Sequence, residues 1–111
     1  MSKFITINTE TTTDLLTSSE YSIQSSTNPT GSNAANINKV VVVNESADKA
    51  TVSLFIRLVA SPNTEYYFIK NLDIPTEVTW VMDDEFSFDV SKYDLRLTNS
   101  GTGPKLTVII N

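Results

Sequence analysis

The feature that most constrains this chain is an alternation of apolar and polar side chains that recurs through its last two thirds. In "TVSLFIRLVA" the apolar residues Val52, Leu54, Ile56 and Leu58 stand at every second position. Successive side chains of a β-strand point to opposite faces, so a period of two indicates a strand. The same spacing returns in five later runs: Tyr66 to Ile74, Val78 to Met82, Phe86 to Val90, Leu95 to Leu97 and Leu106 to Ile110.

Turn-forming sequences separate these runs at short intervals. They are "NESADKA", "SPN", "IPTE", "DDE", "SKYD" and "NSGTGP". Short strands divided in this way are typical of antiparallel all-β folds, so the sequence predicts an all-β, antiparallel β-sandwich of jelly-roll or immunoglobulin-like type. The continuous β-branched run "KVVVVN" predicts a strand covered on both faces. At 111 residues the chain is long enough for one such domain.

The first third of the chain has a different composition. Residues 8–36 are dominated by Ser, Thr and Asn and can bury little apolar surface. We therefore expect residues 1–36 to form an extended N-terminal arm with one or two short strands, near Phe4 to Ile7 and Glu20 to Gln24. "TTTDLLTSSEY" is the one place where a helical turn is conceivable, starting near Asp14. Residues 37–111 are then the β-sandwich core.

The charge and the missing residue types exclude several functions. The net charge is −5 and no run of Lys or Arg forms a basic stripe, so we expect no nucleic-acid partner. There is no Cys and no His, which removes disulfides and the commonest transition-metal ligands, and we expect no cofactor. The N-terminus lacks a secretory signal and no apolar run approaches the roughly 20 residues of a membrane helix. We expect synthesis in the cytoplasm and no membrane partner.

No catalytic residues are predicted. Ser91 and Lys92 are adjacent, so in a strand their side chains point apart and cannot act as nucleophile and base. The acidic cluster Asp83, Asp84 and Glu85 offers the oxygen ligands that calcium prefers, but it lacks a calcium-loop spacing and its consecutive side chains diverge. A solvated hairpin turn is the preferred interpretation, with cation binding left open.

The stretch "NTEYYFIKNLDIP" places bulky apolar side chains on both faces of one strand. Lys70 interrupts its alternation, either because a β-bulge shifts the phase or because Lys70 lies on a sheet edge with its ammonium in water; we favour the edge lysine. A small sandwich has only one buried layer, so the apolar residues of opposite parity should face outward. The predicted partner-binding residues on this second face are Phe55, Val59, Tyr67, Ile69 and Val81, with Ile109 nearby.

Exposed aromatic rings suggest an alternative, a monomeric carbohydrate-recognition module in which rings stack on sugars. Tyr66, Tyr67, Tyr93 and Trp80 are the candidate rings. Trp80 shares its parity with Val78 and Met82, so we expect Trp80 in the core.

Three segments together resemble a known family: "INKVVVVNESADKATVSLFIRLV", "EYYFIKNLDIPTEVTWV" and "FDVSKYDLRLTNSGTGPKLTVIIN". This succession of strands and turns resembles small β-sandwich virion proteins of tailed bacteriophages, of the marine and cyanobacterial phage type. The resemblance covers residues 37–111. It implies a non-enzymatic structural subunit of the virion, a head decoration protein as first choice and a neck or tail component otherwise. It also implies several copies bound to the major capsid protein or to tail and neck proteins.

Overall fold

A computed structural model describes residues 3–17 and 34–111 of the chain. Within these residues all regular structure is β-strand. The ten strands are β1 Lys3–Ile7, β2 Thr12–Leu16, β3 Ala34–Ile37, β4 Val40–Asn44, β5 Ala50–Leu58, β6 Glu65–Ile74, β7 Thr79–Met82, β8 Phe86–Asp89, β9 Tyr93–Gly101 and β10 Leu106–Ile110. No helix in the described ranges has the length and apolar character needed to cross a membrane.

The strands form two four-stranded antiparallel sheets, so the predicted antiparallel β-sandwich is confirmed. Sheet A has the order β1-β10-β4-β7, sheet B has the order β2-β9-β5-β6, and β3 pairs with β8 in a short ribbon. Strands β1 to β5 pair in turn with β10, β9, β8, β7 and β6. The ten strands therefore form one long antiparallel ribbon that folds back between β5 and β6 and rolls up. This nested pairing is a jelly roll and differs from the immunoglobulin order.

The core lies between the two sheets and is built from the alternating apolar positions. Leu54 and Leu97 from sheet B and Val42 and Val108 from sheet A are each at most 1% exposed. Full burial of such a side chain stabilises the fold by about 1.5–3 kcal/mol. The period of two in the sequence therefore correctly identified the inner face of β5, β9 and β10, whereas β4, interpreted as covered on both faces, buries one face fully and leaves the other half-buried.

Residues 3–17 belong to the two sheets of the sandwich, whereas the sequence predicts an extended arm for this segment. The strand expected near Phe4 is β1, an edge strand of sheet A. The helical turn considered near Asp14 is instead β2, an edge strand of sheet B. Its pairing with β9 shifts register between Asp14 and Leu16, so Leu15 and Leu16 are both buried, at 0% and 4% exposed. The strand expected at residues 20–24 lies outside the described residues.

Strand β6 contains a β-bulge near Lys70, the less favoured of the two interpretations of the interrupted alternation. Its pairing with β5 shifts register between Val52 and Leu54 and again between Leu54 and Phe55. Asn71 at the first shift has a φ of 55°, and its backbone N–H donates to Ser53 Oγ at 2.9 Å. Lys70 is also exposed on this edge strand, so both interpretations describe part of the geometry.

Candidate interaction surfaces

The outer face of sheet A carries a continuous line of apolar side chains across all four strands. The strand register aligns Phe4 with Ile109, Ile109 with Val41, and Val41 with Val81. Phe4 is 70% exposed and Val81 is 47% exposed, while Ile109 and Val41 between them are half-buried. We call these four residues the apolar row.

The neighbouring row on the same face is also uncharged. It consists of Thr6, Thr107, Val43 and Thr79. Charged side chains begin one row further, where Lys105 Nζ lies 3.8 Å from Glu45 Oε2 and Thr107 Oγ1 donates to Glu45 Oε1 at 3.0 Å. The face is thus an uncharged strip with a polar rim, the pattern found in protein interfaces.

The strip is small for an interface. Four strands about 4.8 Å apart and roughly four residues of rise along each strand give about 250 Å². Stable complexes bury about 800 Å² on each partner. The strip can therefore form the centre of a contact whose remaining area comes from polar surface around it.

The outer face of sheet B contains two of the predicted partner-binding residues, and one of them is buried. Phe55 is only 2% exposed, so the expectation that its ring faces outward is wrong. Tyr67 lies opposite Phe55 with 4.9 Å between the ring centroids, and Arg96 lies opposite it on the other side. These two long side chains cover Phe55 within the single chain. Tyr67 itself is 41% exposed.

The surroundings of Tyr67 are polar. Its hydroxyl donates to Glu65 Oε1 at 3.0 Å, and Lys70 Nζ lies 5.0 Å from the ring centroid. Partial burial, then the hydrogen bond and negative charge of Glu65, raise the pKa of the Tyr67 hydroxyl. The phenol therefore stays neutral at physiological pH and acts as a hydrogen-bond donor.

Ion pairs complete the outer face of sheet B. Arg96 Nε lies 2.7 Å from Asp14 Oδ1, with its N–H directed off the line to that oxygen. Arg57 Nη2 lies 3.9 Å from Asp94 Oδ2. This face is charged and internally balanced, in contrast to the strip on sheet A.

The remaining predicted residues are dispersed. Ile69 pairs with Leu54 and packs against the core, because the β6 bulge turns it inward; its expected outward position is wrong. Val59 is 44% exposed in the segment after β5, and Val81 belongs to the apolar row. The five residues therefore do not form one surface, and their partner binding stays a prediction.

The aromatic side chains form a partly exposed edge on β6. Tyr66, 53% exposed, meets Tyr93 edge-on with centroids 6.2 Å apart, and Phe68, 39% exposed, packs on Phe86 at 4.4 Å. Trp80 packs against the core, as predicted.

The acidic turn forms no cluster that is suited to metal binding. Within residues 3–17 and 34–111, no group of three or more acidic side chains is arranged to hold a metal ion. Asp83, Asp84 and Glu85 are each exposed, as expected of a solvated turn.

Sequence reasoning placed Val81 and Ile109 of the apolar row on an outward face and missed the other two residues. Phe4 was assigned to the arm, and Val41 belonged to a run interpreted as covered on both faces. Ile109 was noted as outward, which is correct. The available signal was the alternation of Phe4 with Ile5 and Ile7, which gives β1 an apolar side chain on its outer face.

Comparisons with known proteins concern the fold. No protein-family model matches the chain, and no curated protein matches its sequence. A crystal structure of a protein named PirA is similar with a TM-score of 0.53 at 12% identity, over 97% of this chain and 90% of PirA.

Two further structures have lower TM-scores. The structure of the infectious bursal disease virus Gx strain has a TM-score of 0.47 at 11% identity, over 99% of this chain and 32% of that one. The CBM32 of AlyQ, solved with 4,5-unsaturated mannuronic acid, gives 0.43 at 18% identity, over 98% of this chain and 77% of that one. Structures similar to this chain thus include a virus and a carbohydrate-binding module, all rich in β-structure.

Proposed function

We propose that this protein is a non-enzymatic structural subunit of a virus particle that contacts neighbouring virion proteins through the outer face of sheet A. The apolar row carries the proposal. Its two end residues, Phe4 and Val81, are exposed at 70% and 47%, and burying them against a partner removes apolar surface from water.

A particle with many copies suits a strip of this size. A contact centred on about 250 Å² is weak by itself, since stable complexes bury several times that area. Each copy presents one strip, so tight attachment requires copies that also bind one another and make several of these contacts at once. The partner is accordingly a repeated protein surface, and the row requires from it a complementary uncharged, apolar patch.

The proposed position on the particle rests on the sequence resemblance alone. Residues 37–111 resemble tailed-phage virion proteins, and we propose head decoration with the major capsid protein as partner. A neck or tail component is the alternative. The jelly roll agrees with this role, because viral shells use that fold, although lectins and cupins share it. The net charge of −5 disfavours a partner of like charge, including packaged nucleic acid.

The test replaces an exposed row residue by a charge and measures attachment to particles. Val81→Asp should reduce co-sedimentation with heads prepared without this protein by at least about tenfold, because the introduced carboxylate cannot be desolvated cheaply at the contact. Thr12→Asp is the matched control: Thr12 is also exposed on an edge strand, but on the outer face of sheet B. Both variants should keep the wild-type urea midpoint.

Three outcomes would contradict this assignment. If the wild-type protein binds neither heads nor tails, the proposed role on the particle is wrong. If Val81→Asp binds as well as wild type, the outer face of sheet A is not the contact. Loss of binding in Tyr67→Asp or Val59→Asp, with Val81→Asp unaffected, would move the contact to the outer face of sheet B or to the segment after β5.

A further inference from the structure

The uncharged strip on sheet A has an arrangement that is complementary to itself. Its outer strands β1 and β7 carry the most exposed side chains, Phe4 and Val81, and its inner strands β10 and β4 carry the half-buried Ile109 and Val41. A two-fold axis that runs along the strands, between β10 and β4, places β1 of one copy over β7 of the other and β10 over β4. Phe4 then faces Val81 of the second copy, and Ile109 faces Val41.

The same axis matches the second row of the strip. Thr6 lies over Thr79 of the second copy, and Thr107 lies over Val43. Packed sheets keep their strand directions within about 30° of each other, so the rows stay close to their counterparts at the centre of the contact. Every position of the strip therefore meets an uncharged side chain, as a contact between identical faces requires.

The charges at the polar rim are also complementary under this axis. Lys105 precedes β10 and Glu45 follows β4, and the Thr107 hydroxyl holds Glu45 on the outer face. The Lys105 and Glu45 side chains are 62% and 44% exposed, so each is open to a second opposite charge besides the other. Since the axis exchanges β10 with β4, Lys105 of each copy faces Glu45 of the other. Two interchain charge pairs then orient the contact.

A different two-fold axis, running across the strands, fits less well. It would place the apolar row over the row of threonines. It would also bring Glu77, just before β7, beside Asp83, just after β7, of the other copy, and both carboxylates are exposed. Like charges placed opposite each other disfavour a contact. The net charge of −5 opposes self-association over longer distances, but salt screens exposed charges beyond about 8 Å at physiological ionic strength.

We propose that the free protein forms a weak two-fold dimer through the outer face of sheet A, which covers the apolar row until the protein attaches to a particle. This inference rests on the proposed function, because a second copy and the particle then compete for the same face. A strip of about 250 Å² is small beside the roughly 800 Å² that each partner buries in a stable complex. The dimer is therefore reversible, and its dissociation releases the row for attachment.

The first test is sedimentation equilibrium of the full chain at about 20–500 µM, a range suited to weak association. The average mass of the wild type should rise with concentration from that of one chain toward that of two. Val81→Asp should stay monomeric, because its carboxylate would lose water at the contact. Urea midpoints check that each variant is folded.

A charge swap tests the axis itself. Lys105→Glu and Glu45→Lys should each weaken the dimer by at least about tenfold, because like charges then face each other at both rim contacts. An equimolar mixture of the two variants should restore dimerisation, since in the mixed dimer a glutamate of one variant faces a lysine of the other at both contacts. The ion pair within each chain stays broken in the mixture, so a purely structural role of that pair predicts no recovery.

The matched control is Lys49→Glu. Lys49 Nζ lies 3.6 Å from Asp73 Oδ2 on sheet B, so this variant makes the same charge change and breaks an exposed ion pair away from the strip. Its dimerisation should equal that of the wild type. The proposal is overturned if the wild type stays monomeric over the whole range, if Val81→Asp dimerises as well as wild type, or if the mixture associates no more tightly than either variant alone.

Head binding separates this inference from the proposed function. A monomeric wild type that binds heads overturns the dimer alone. A wild type that dimerises with the expected charge-swap behaviour but binds neither heads nor tails overturns the role on the particle and supports the dimer.

Discussion

At the scale of single residues, one buried asparagine connects three segments of the chain. Asn44 is 0% exposed at the end of β4. Its Nδ2 donates to the carbonyls of Asp48, Ile74 and Pro75 at 3.1, 2.9 and 3.2 Å, and its Oδ1 accepts the Ser46 N–H at 2.9 Å. A buried polar side chain is tolerated only when its partners are present, and here all of them are backbone groups, three in loops and one at the end of β6.

Asn44→Ala should therefore lower the free energy of unfolding by about 2–4 kcal/mol, because several backbone groups lose their partner in a buried place. A urea titration measures this as a lower midpoint with an unchanged slope. Asn8→Ala, at an exposed position, is the control and should change stability by less than about 0.5 kcal/mol. A loss below about 1 kcal/mol in Asn44→Ala would mean that water replaces the side chain.

At the scale of elements, the bulge in β6 decides which side chains face the core. Ile69 pairs with Leu54 and packs inward, whereas Tyr67 pairs with Phe55 and lies on the outer face. An uninterrupted alternation would put Ile69 and Tyr67 on the same face. The register shift between Leu54 and Phe55, where Phe68 is the extra residue, separates them. The other shift, between Val52 and Leu54, contains the left-handed residue Asn71, and asparagine tolerates that conformation better than most residues.

Asn71→Val should destabilise the protein by about 1–2 kcal/mol, because a β-branched side chain is strained at a φ of 55°. Asn71→Gly should stay within about 0.5 kcal/mol of wild type, since glycine adopts positive φ freely. Urea midpoints measure both. Thr6→Val, an exposed strand position, is the control for adding valine to the surface. Equal stability of the valine and glycine variants would show that the bulge relaxes at no cost.

At the scale of the whole molecule, the rolled ribbon makes the two ends of the chain interdependent. Strand β1 pairs with β10 and β2 pairs with β9, so each sheet takes an edge strand from the first 17 residues. Ile7, Leu15 and Leu16 contribute three buried side chains to the core. At about 1.5–3 kcal/mol each, they supply an amount comparable to the whole stability of a typical domain, which is about 5–15 kcal/mol.

A fragment of residues 37–111 should accordingly fail to fold as a cooperative unit. Its loss of β1 and β2 also leaves β9 and β10 with unpaired edges, which promote aggregation. Thermal unfolding followed by circular dichroism, with the full chain as reference, checks this expectation. A fragment that unfolds in one sharp transition near the wild-type midpoint would support the original division into a separate arm and core.

The sequence by itself determined the local features of this protein. Alternation places Val52, Leu54 and Leu97 on an inner face, and the intervening turns require an antiparallel arrangement, because both signals act over a few residues. The absence of His and Cys likewise excludes disulfides and the commonest transition-metal ligands from the composition alone.

Only the tertiary structure decided which apolar residues remain uncovered. Phe55 is buried because strand pairing places Tyr67 and Arg96 beside it, and Ile69 is half-buried against the core because a bulge turns it inward. The apolar row exists because pairing brings Phe4 and Ile109, from opposite ends of the chain, into line with Val41 and Val81. Strand alternation specifies the face of the sheet on which a side chain lies. Whether other side chains bury it depends on neighbours that are distant in sequence.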